Sequence, residues 1–174
     1  MTIHSDHPFI EPAGERRPGR RLRGRQVTPV TVWAAGASPE RAGLTVSSML
    51  VADGEPSRLI GLIDEESDLW VRLRATGRVA VSLLAPGDEM VADVFAGVAP
   101  SPGGTFRTGR WLDTEWGPAL DGRCWAGAVL AREPTVAGWS LLVRVDVAHV
   151  QLVDDTGALA YYRGRYVGVP AEPR

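Results

Sequence analysis

Residues 30–53 decide the fold, and they contain Val-Thr-Val-Trp-Ala-Ala-Gly from Val30 to Gly36 and Gly-Leu-Thr-Val-Ser-Ser-Met-Leu-Val from Gly43 to Val51. The first part is a dense run of β-branched and aromatic residues, and the second alternates apolar with polar side chains. Both patterns predict strands. The polar residues between Gly36 and Gly43 predict a turn, so the two strands should form a hairpin.

Three hydroxyl residues, Thr45, Ser47 and Ser48, lie close together in the second strand of this hairpin. Since strand side chains alternate between faces, Thr45 and Ser47 should share one face and Ser48 should take the other. A cleft at this strand end would let the hydroxyls and backbone N–H groups hold a polar ligand. The alternative is that they are ordinary strand hydroxyls on a solvent face.

The composition favours one compact domain without nucleic acid or membrane as its main partner. The chain has 174 residues, 44% of them hydrophobic, and a formal net charge of -2. Cys124 is the single cysteine, which excludes an intramolecular disulfide, and the usual metal-ligand spacings are absent. Neither a signal peptide nor a membrane-spanning segment is predicted, so we expect a cytoplasmic protein.

The opening segment, residues 1–25, differs from the rest because it concentrates proline, glycine and arginine. Its arginines are Arg16, Arg17, Arg20, Arg21, Arg23 and Arg25. Without hydrophobic periodicity it predicts a flexible arm ahead of a domain at 26–174. The arm is either a phosphate-binding or docking tail, or a solvated leader or a segment draped over a partner subunit. No aromatic residues interleave the arginines, which argues against base stacking.

The body is predicted to contain many strands and two short helices. Ser67 is the expected N-cap of the first helix and Gly77 its C-terminal stop. Asp88 and Glu89 begin the second helix, whose inner side is predicted to carry Met90, Val91, Val94 and Phe95. Further strands are expected at 58–64, 79–84, 123–132, 139–153 and 158–167, with irregular structure at 98–122. This pattern favours a closed or nearly closed antiparallel barrel.

Several motifs, taken in order, resemble the flavin reductase-like family. The Gly-Leu-Thr-x-Ser-Ser segment at 43–48 is one, and residues 77–84, Gly-Arg-Val-Ala-Val-Ser-Leu-Leu, are similar to the family's Gly-Arg-Phe-Ala-Val-Asn-Leu-Leu strand. Residues 116–122 resemble its Gly-x-Pro-x-Leu-x-Gly turn, and residues 159–166 its Leu-x-Tyr-x-Arg-Gly-x-Tyr end. The resemblance implies an all-β fold with two short helices, an FMN-binding split barrel of the Greek-key antiparallel type.

The resemblance also implies a function. A flavin-dependent oxidoreductase would bind FMN, with FAD as a possibility, and take hydride from NADH or NADPH. It would form a homodimer and supply reduced flavin to a partner monooxygenase. The chain has no Gly-x-Gly-x-x-Gly loop, but in this family NAD(P)H docks transiently against bound flavin, which supplies the redox chemistry. The alternatives are a non-catalytic flavin- or haem-binding protein and an oxidoreductase with another flavin-like cofactor.

By the same resemblance, Thr45, Val46, Ser47 and Ser48 line the isoalloxazine ring and ribityl chain. The remaining implied cofactor residues are Asp64, Ser67, Arg163 and Tyr166. Ser67 stands where the family has a phosphate clamp at a helix start, although a plain N-cap is the alternative. Leu69 replaces the clamp's second hydroxyl, and the acidic neighbours disfavour phosphate unless arginines such as Arg72, Arg163 or Arg165 compensate.

No catalytic residue is assigned, because Gly138-Trp139 stands where many members of the family have Asp-His. Of the other histidines, His4 and His7 lie in the arm, and His149 is expected to be structural. Tryptophans in regular elements should be core residues, namely Trp33, Trp70 and Trp125. Those in or beside irregular stretches are candidates to cover a flat ring, namely Trp111, Trp116 and Trp139.

Overall fold

The computed structural model describes residues 18–154 and 156–171. Its helices are α1 (Pro18–Arg23), α2 (Asp68–Thr76) and α3 (Glu89–Phe95), with a 3₁₀ turn at Thr105–Arg107. Its strands are β1 (Thr28–Pro29), β2 (Thr31–Ala35), β3 (Ala42–Val46), β4 (Leu50–Ala52), β5 (Arg58–Ile63), β6 (Arg78–Leu83), β7 (Trp111–Thr114), β8 (Gly117–Leu120), β9 (Trp125–Leu130), β10 (Thr135–Ala137), β11 (Ser140–Gln151), β12 (Ala158–Tyr162) and β13 (Arg165–Val169). No helix in these ranges has the length and apolarity needed to cross a membrane.

An antiparallel sheet of eight strands forms the body, in the order β3-β2-β6-β9-β11-β5-β4, with β10 paired to β11. The two strands at the ends of this order, β3 and β4, are consecutive in the chain. Residues 47–49 therefore carry the backbone from one edge of the sheet to the other, which curls the sheet into a split barrel. Smaller sheets, β1-β12-β13 and β7-β8, pack outside it.

The bend at residues 47–49 and the facing residue Leu62 of β5 form what we call the seam. Here the Ser48 hydroxyl donates to the Leu62 carbonyl and accepts from the Leu62 N–H, both at 3.2 Å. A side chain thus takes the place of a ladder hydrogen bond where the barrel is split. Because β3 ends at Val46, the alternation predicted to place Ser47 and Ser48 on opposite faces does not extend to them.

Strand β2 is buried on both faces, which explains why it is apolar apart from Thr31, whose hydroxyl donates to the Val46 carbonyl at 2.6 Å. On the inner face Trp33 packs in the barrel with the apolar side of α2, including Leu69 and Leu73. On the outer face Val32 packs with residues of α3 and with Leu159 of β12. The two faces give the molecule two adjoining apolar clusters on either side of one strand.

Both predicted helices are present, with one wrong detail. The Ser67 side chain caps α2 by accepting from the Trp70 N–H, and Gly77 ends the helix in the left-handed conformation at φ 67°. In α3 the predicted inner residues are buried except Met90, which is 60% exposed. Met90 lies in the first turn of α3 and is exposed there, although Val94, one turn later on the same side, is buried.

A third helix, α1, was not predicted and falls within the range assigned to the arm. Pro18 at its first position, arginines in its last turn and Gly24 just after its end are favourable for so short a helix. The rest of the predicted arm, residues 1–17, lies outside the described residues.

The other differences concern irregular and terminal segments. Residues 98–122, expected to be irregular, contain the β7-β8 hairpin and the 3₁₀ turn. The single last strand expected at 158–167 is a hairpin, because Arg163 and Gly164 turn the chain with φ of 50° and 80°. Positive φ at both central residues is the signature of a tight two-residue turn.

Candidate functional site

A cavity of about 880 Å³ opens beside the seam. It is lined by residues from the seam, from α1 and the segment after it, and from the β12-β13 turn. The seam contributes Ser47, Ser48 and Leu62, and the β12-β13 hairpin contributes Tyr161, Arg163 and Gly164. The volume lies in the range of small-molecule and cofactor sites, roughly 300–1,000 Å³.

The cavity wall formed by α1 is fixed to the β12-β13 turn through backbone hydrogen bonds. The Gly24 N–H donates to the Arg20 carbonyl at 3.0 Å, and the Arg163 N–H donates to the Gly24 carbonyl at 2.9 Å. The Arg163 guanidinium lies 5.5 Å from the centre of the Tyr162 ring. These contacts hold the helix and the turn side by side, so their arginines face a common space.

The four predicted residues of the β3 end have different roles. Thr45 donates its hydroxyl proton to the Ala92 carbonyl of α3 at 2.7 Å, and Val46 is buried in the barrel core. Ser48 closes the seam and also lines the cavity, whereas the Ser47 hydroxyl lines the cavity and makes no hydrogen bond to the described residues. Ser47 is therefore the hydroxyl of this group most open to a ligand.

Asp64 and Ser67 lie at the start of α2 and do not line the cavity. The Ser67 hydroxyl donates to the Asp64 carbonyl at 2.6 Å and accepts from the Trp70 N–H at 3.2 Å. The Asp64 side chain accepts from the Glu66 N–H at 3.0 Å. A serine hydroxyl has one proton to donate, so this geometry is that of a helix cap.

Tyr166 does not line the cavity either, whereas its neighbour Tyr161 does. The two rings make an edge-to-face contact at 5.4 Å, and the Tyr166 hydroxyl donates to Asp93 at 2.7 Å. Burial, and then this hydrogen bond, raise the pKa of Tyr166 above its usual range. Tyr166 thus supports Tyr161 and ties β13 to α3.

The charge of the cavity comes mainly from arginines of the segment predicted to be a flexible arm. Arg20, Arg21, Arg23 and Arg25 line it together with Arg163, and its lining includes no carboxylate from the described residues. Nη1 of Arg20 is buried and has no hydrogen-bond partner among the described residues. A buried cationic donor without an acceptor fits an anionic group of a ligand, such as the phosphate of a flavin nucleotide.

The tryptophans proposed to cover a flat ring do not line the cavity. Trp111 packs with Phe95 and Phe106 at ring distances of 5.0 and 5.1 Å. Trp116 stacks on His149 at 5.0 Å and an interplanar angle of 16°, which gives His149 a packing role. Trp139 is 55% exposed beside the turn from β10 to β11.

The split-barrel fold agrees with the comparisons with known proteins. The chain belongs to the family described as flavin reductase like domain, whose model matches residues 23–170. An FMN reductase (NADH) RutF 1 of Methylorubrum extorquens is 31% identical over 161 residues, which cover 89% of this chain and 77% of the relative.

Two solved structures share the fold. The Streptomyces globisporus C-1027 NADH:FAD oxidoreductase SgcE6 superposes with a TM-score of 0.78 at 23% identity, covering 91% of this chain and 98% of that chain. BorF, the flavin reductase component of a bacterial two-component tryptophan halogenase, has a TM-score of 0.77 at 23% identity and covers 88% of this chain and 99% of its own. The fold predicted from the sequence motifs is therefore confirmed.

Proposed function

We propose that this protein is an NADH:flavin oxidoreductase that binds FMN in the cavity at the seam. The observation that carries the proposal is the joint lining of one cavity by Ser47 and Ser48 on one side and by arginines on the other. The hydroxyls suit the polar edge of a flavin, and the arginines suit its phosphate. The naming of the relative RutF 1 as an FMN reductase (NADH) supports both the flavin and the nicotinamide.

The residues of the chain act by binding and orientation. Bound flavin supplies the hydride-accepting chemistry. Ser47 would hold the ligand by hydrogen bonding, while Ser48 keeps the bend in place through Leu62. Tyr161 would cover the ligand from the β12 side, supported by Tyr166. We assign no proton-transfer role to a side chain.

We further propose that the protein works as a cytoplasmic homodimer and delivers reduced flavin to a separate oxygenase. For this delivery the reduced flavin has to leave the cavity or become accessible to the oxygenase. The cavity allows this because it is open to solvent. The description of BorF as the reductase component of a two-component halogenase supports a role of this kind. We propose FMN and not FAD as the cofactor, because the relative RutF 1 is named an FMN reductase. FAD is the alternative to test, because the structural neighbour SgcE6 is named an NADH:FAD oxidoreductase.

The proposal is tested by the visible spectrum of the purified protein after addition of FMN. Bound flavin should shift and sharpen the absorption bands, and anaerobic addition of NADH should bleach them within the time of mixing. NADPH in place of NADH and FAD in place of FMN determine the preferences. Flavin that binds but is not bleached by either nicotinamide would identify a non-catalytic flavoprotein and refute the reductase proposal.

A further inference from the structure

We propose that the arginines of α1, together with Arg163, form a phosphate-binding site in which Arg20 is the central residue. The inference rests on the flavin reductase function proposed above for the identity of its nucleotide. Helix α1, which lies in the segment predicted to be a flexible arm, would then recognise a phosphate ester.

The charges of this cluster are not neutralised within the described part of the chain. Six arginines elsewhere in that part have a carboxylate partner, for example Arg72 with Glu40 at 2.7 Å and Arg78 with Glu115 at 2.9 Å. Arg20, Arg21 and Arg23 make no ion pair with a described residue. Cations gathered on one wall repel each other, so an anion bound between them relieves that repulsion.

Arg20 carries the strongest signal in the cluster. Its Nη1 is shielded from solvent and has neither a protein carbonyl nor a carboxylate as acceptor in the described structure. Buried polar groups are rarely left unsatisfied, and the cost is larger for a charged donor. Arg25, by contrast, has one donor engaged, since its Nη1 donates to the Arg21 carbonyl at 3.2 Å.

The other candidate for a phosphate site, the start of α2, lacks the required chemistry. The Ser67 hydroxyl donates its only proton to the Asp64 carbonyl, and Asp64, Glu65, Glu66 and Asp68 surround it in sequence. Carboxylates repel a phosphate dianion. The arginine wall, by contrast, lies in the same cavity as Ser47, so one ligand can reach both.

The ligand group is a phosphate ester, because one planar guanidinium group can donate two parallel hydrogen bonds to two oxygens of the same phosphate. Two nucleotides of the proposed reaction carry such a group, the flavin nucleotide and the nicotinamide dinucleotide. They are distinguished by experiment, because riboflavin lacks the phosphate that FMN carries.

The test compares Arg20→Gln with Arg74→Gln, which removes an exposed arginine of α2 that does not line the cavity. Calorimetric titration with pyrophosphate requires no flavin. We expect the parent and Arg74→Gln to bind it alike and Arg20→Gln to bind about tenfold more weakly, as for loss of a charge-assisted hydrogen bond. Equal pyrophosphate affinity in the three proteins, or no binding to the parent, would overturn the phosphate site. Thermal melting checks that Arg20→Gln is folded.

Titrations with FMN, riboflavin and NADH then identify the nucleotide. If the site holds the flavin phosphate, Arg20→Gln should weaken FMN about tenfold and leave riboflavin unchanged. If it holds the nicotinamide dinucleotide, Arg20→Gln should raise the KM for NADH and leave the FMN affinity unchanged. Loss of FMN and riboflavin to the same extent would contradict the phosphate assignment. Failure of the parent to bind any flavin would instead refute the proposed function, and the pyrophosphate result would stand by itself.

Discussion

At the scale of single residues, adjacent serines at the seam have separable roles. Ser48 bonds both backbone groups of Leu62, whereas Ser47 lines the cavity without a hydrogen bond to described residues. Ser47→Ala should therefore weaken FMN binding by roughly 1 kcal/mol and leave the free energy of unfolding nearly unchanged. Ser48→Ala should lower that free energy by roughly 0.5–1.5 kcal/mol, because the exposed Leu62 N–H and carbonyl lose this partner but can bond water instead.

Flavin fluorescence titration and urea denaturation measure the two quantities on the same preparations. In the reverse pattern, Ser47→Ala would lower the free energy of unfolding and Ser48→Ala would lower only the FMN affinity. That result would mean that the roles of the two serines at the seam are misassigned. Unchanged FMN affinity in both variants would place the flavin elsewhere on the molecule.

Ser67 tests whether α2 contributes to phosphate binding. As an N-cap whose proton is donated to Asp64, it should contribute about 1 kcal/mol to stability. Ser67→Ala should lower the free energy of unfolding by that amount, and the ratio of FMN to riboflavin affinity should stay constant. A selective loss of FMN affinity would restore the phosphate clamp at the start of α2.

Tyr166 makes the free energy of unfolding depend on pH in the alkaline range. Burial and then the hydrogen bond to Asp93 raise its pKa in the folded state above the usual value of about 10. Its contribution is therefore fully present below pH 10 and is lost as pH rises from that value toward the folded pKa, because the unfolded chain releases the proton first. The slope cannot exceed about 1.4 kcal/mol per pH unit for one proton, and partial solvent exposure reduces it.

Denaturant unfolding of the parent and Tyr166→Phe between pH 8 and pH 11 measures this effect. This range spans the usual tyrosine pKa of about 10. The variant should be less stable at pH 8, since the hydrogen bond to Asp93 is gone, and its stability should fall less steeply at high pH. Parallel curves for the two proteins would show that another group causes the alkaline dependence.

At the scale of elements, strand β9 depends on a glycine under an aromatic stack. A Cβ added to Gly127 would collide with the Trp116 ring, which itself stacks on His149. Gly127→Ala should therefore lower the free energy of unfolding by roughly 1–3 kcal/mol, the range for overpacking. Gly19→Ala is the control, since its Cβ would meet no atom within 4 Å, and it should be neutral or slightly stabilising. Equal melting temperatures for the two variants would contradict this account of Gly127.

The regular elements were predictable because their signals are local. The cap at Ser67, the stop at Gly77 and the apolar run of β2 all follow from short-range patterns that the structure obeys. The helix α1 carried a local signal too, Pro18 at its start and Gly24 after its end, but the density of arginines favoured a flexible arm.

The site was less predictable because it depends on contacts between distant segments. That α1 meets the β12-β13 turn, through the Arg163 to Gly24 hydrogen bond, cannot be read from either segment alone. Thr45 shows the same limitation, since its hydroxyl was predicted to face a ligand but bonds the Ala92 carbonyl in α3. Sequence motifs located the seam, and tertiary packing determined which of its hydroxyls face the cavity.

At the scale of the whole molecule, the segment that closes the barrel and the candidate ligand cavity are in contact. The chain segment that closes the sheet, residues 47–49, is also one wall of the cavity, and the edge strand β4 follows it directly. Leu50 and Val51 of β4 are 66% and 65% exposed. An exposed apolar edge strand is unfavourable in a monomer unless a partner covers it.

This exposure supports the homodimer proposed above and leads to the last prediction. Light scattering at micromolar concentration should give twice the mass of one chain, and Val51→Glu should shift the population to monomer, because a carboxylate would be buried in the interface. Val71→Glu is the control, since it makes the same substitution at a position of α2 that is 61% exposed, and it should remain dimeric. The monomeric variant should keep its melting transition but bind FMN more weakly, if the second copy helps to exclude water from the cavity. A parent protein that is monomeric and binds FMN tightly would refute the dimer.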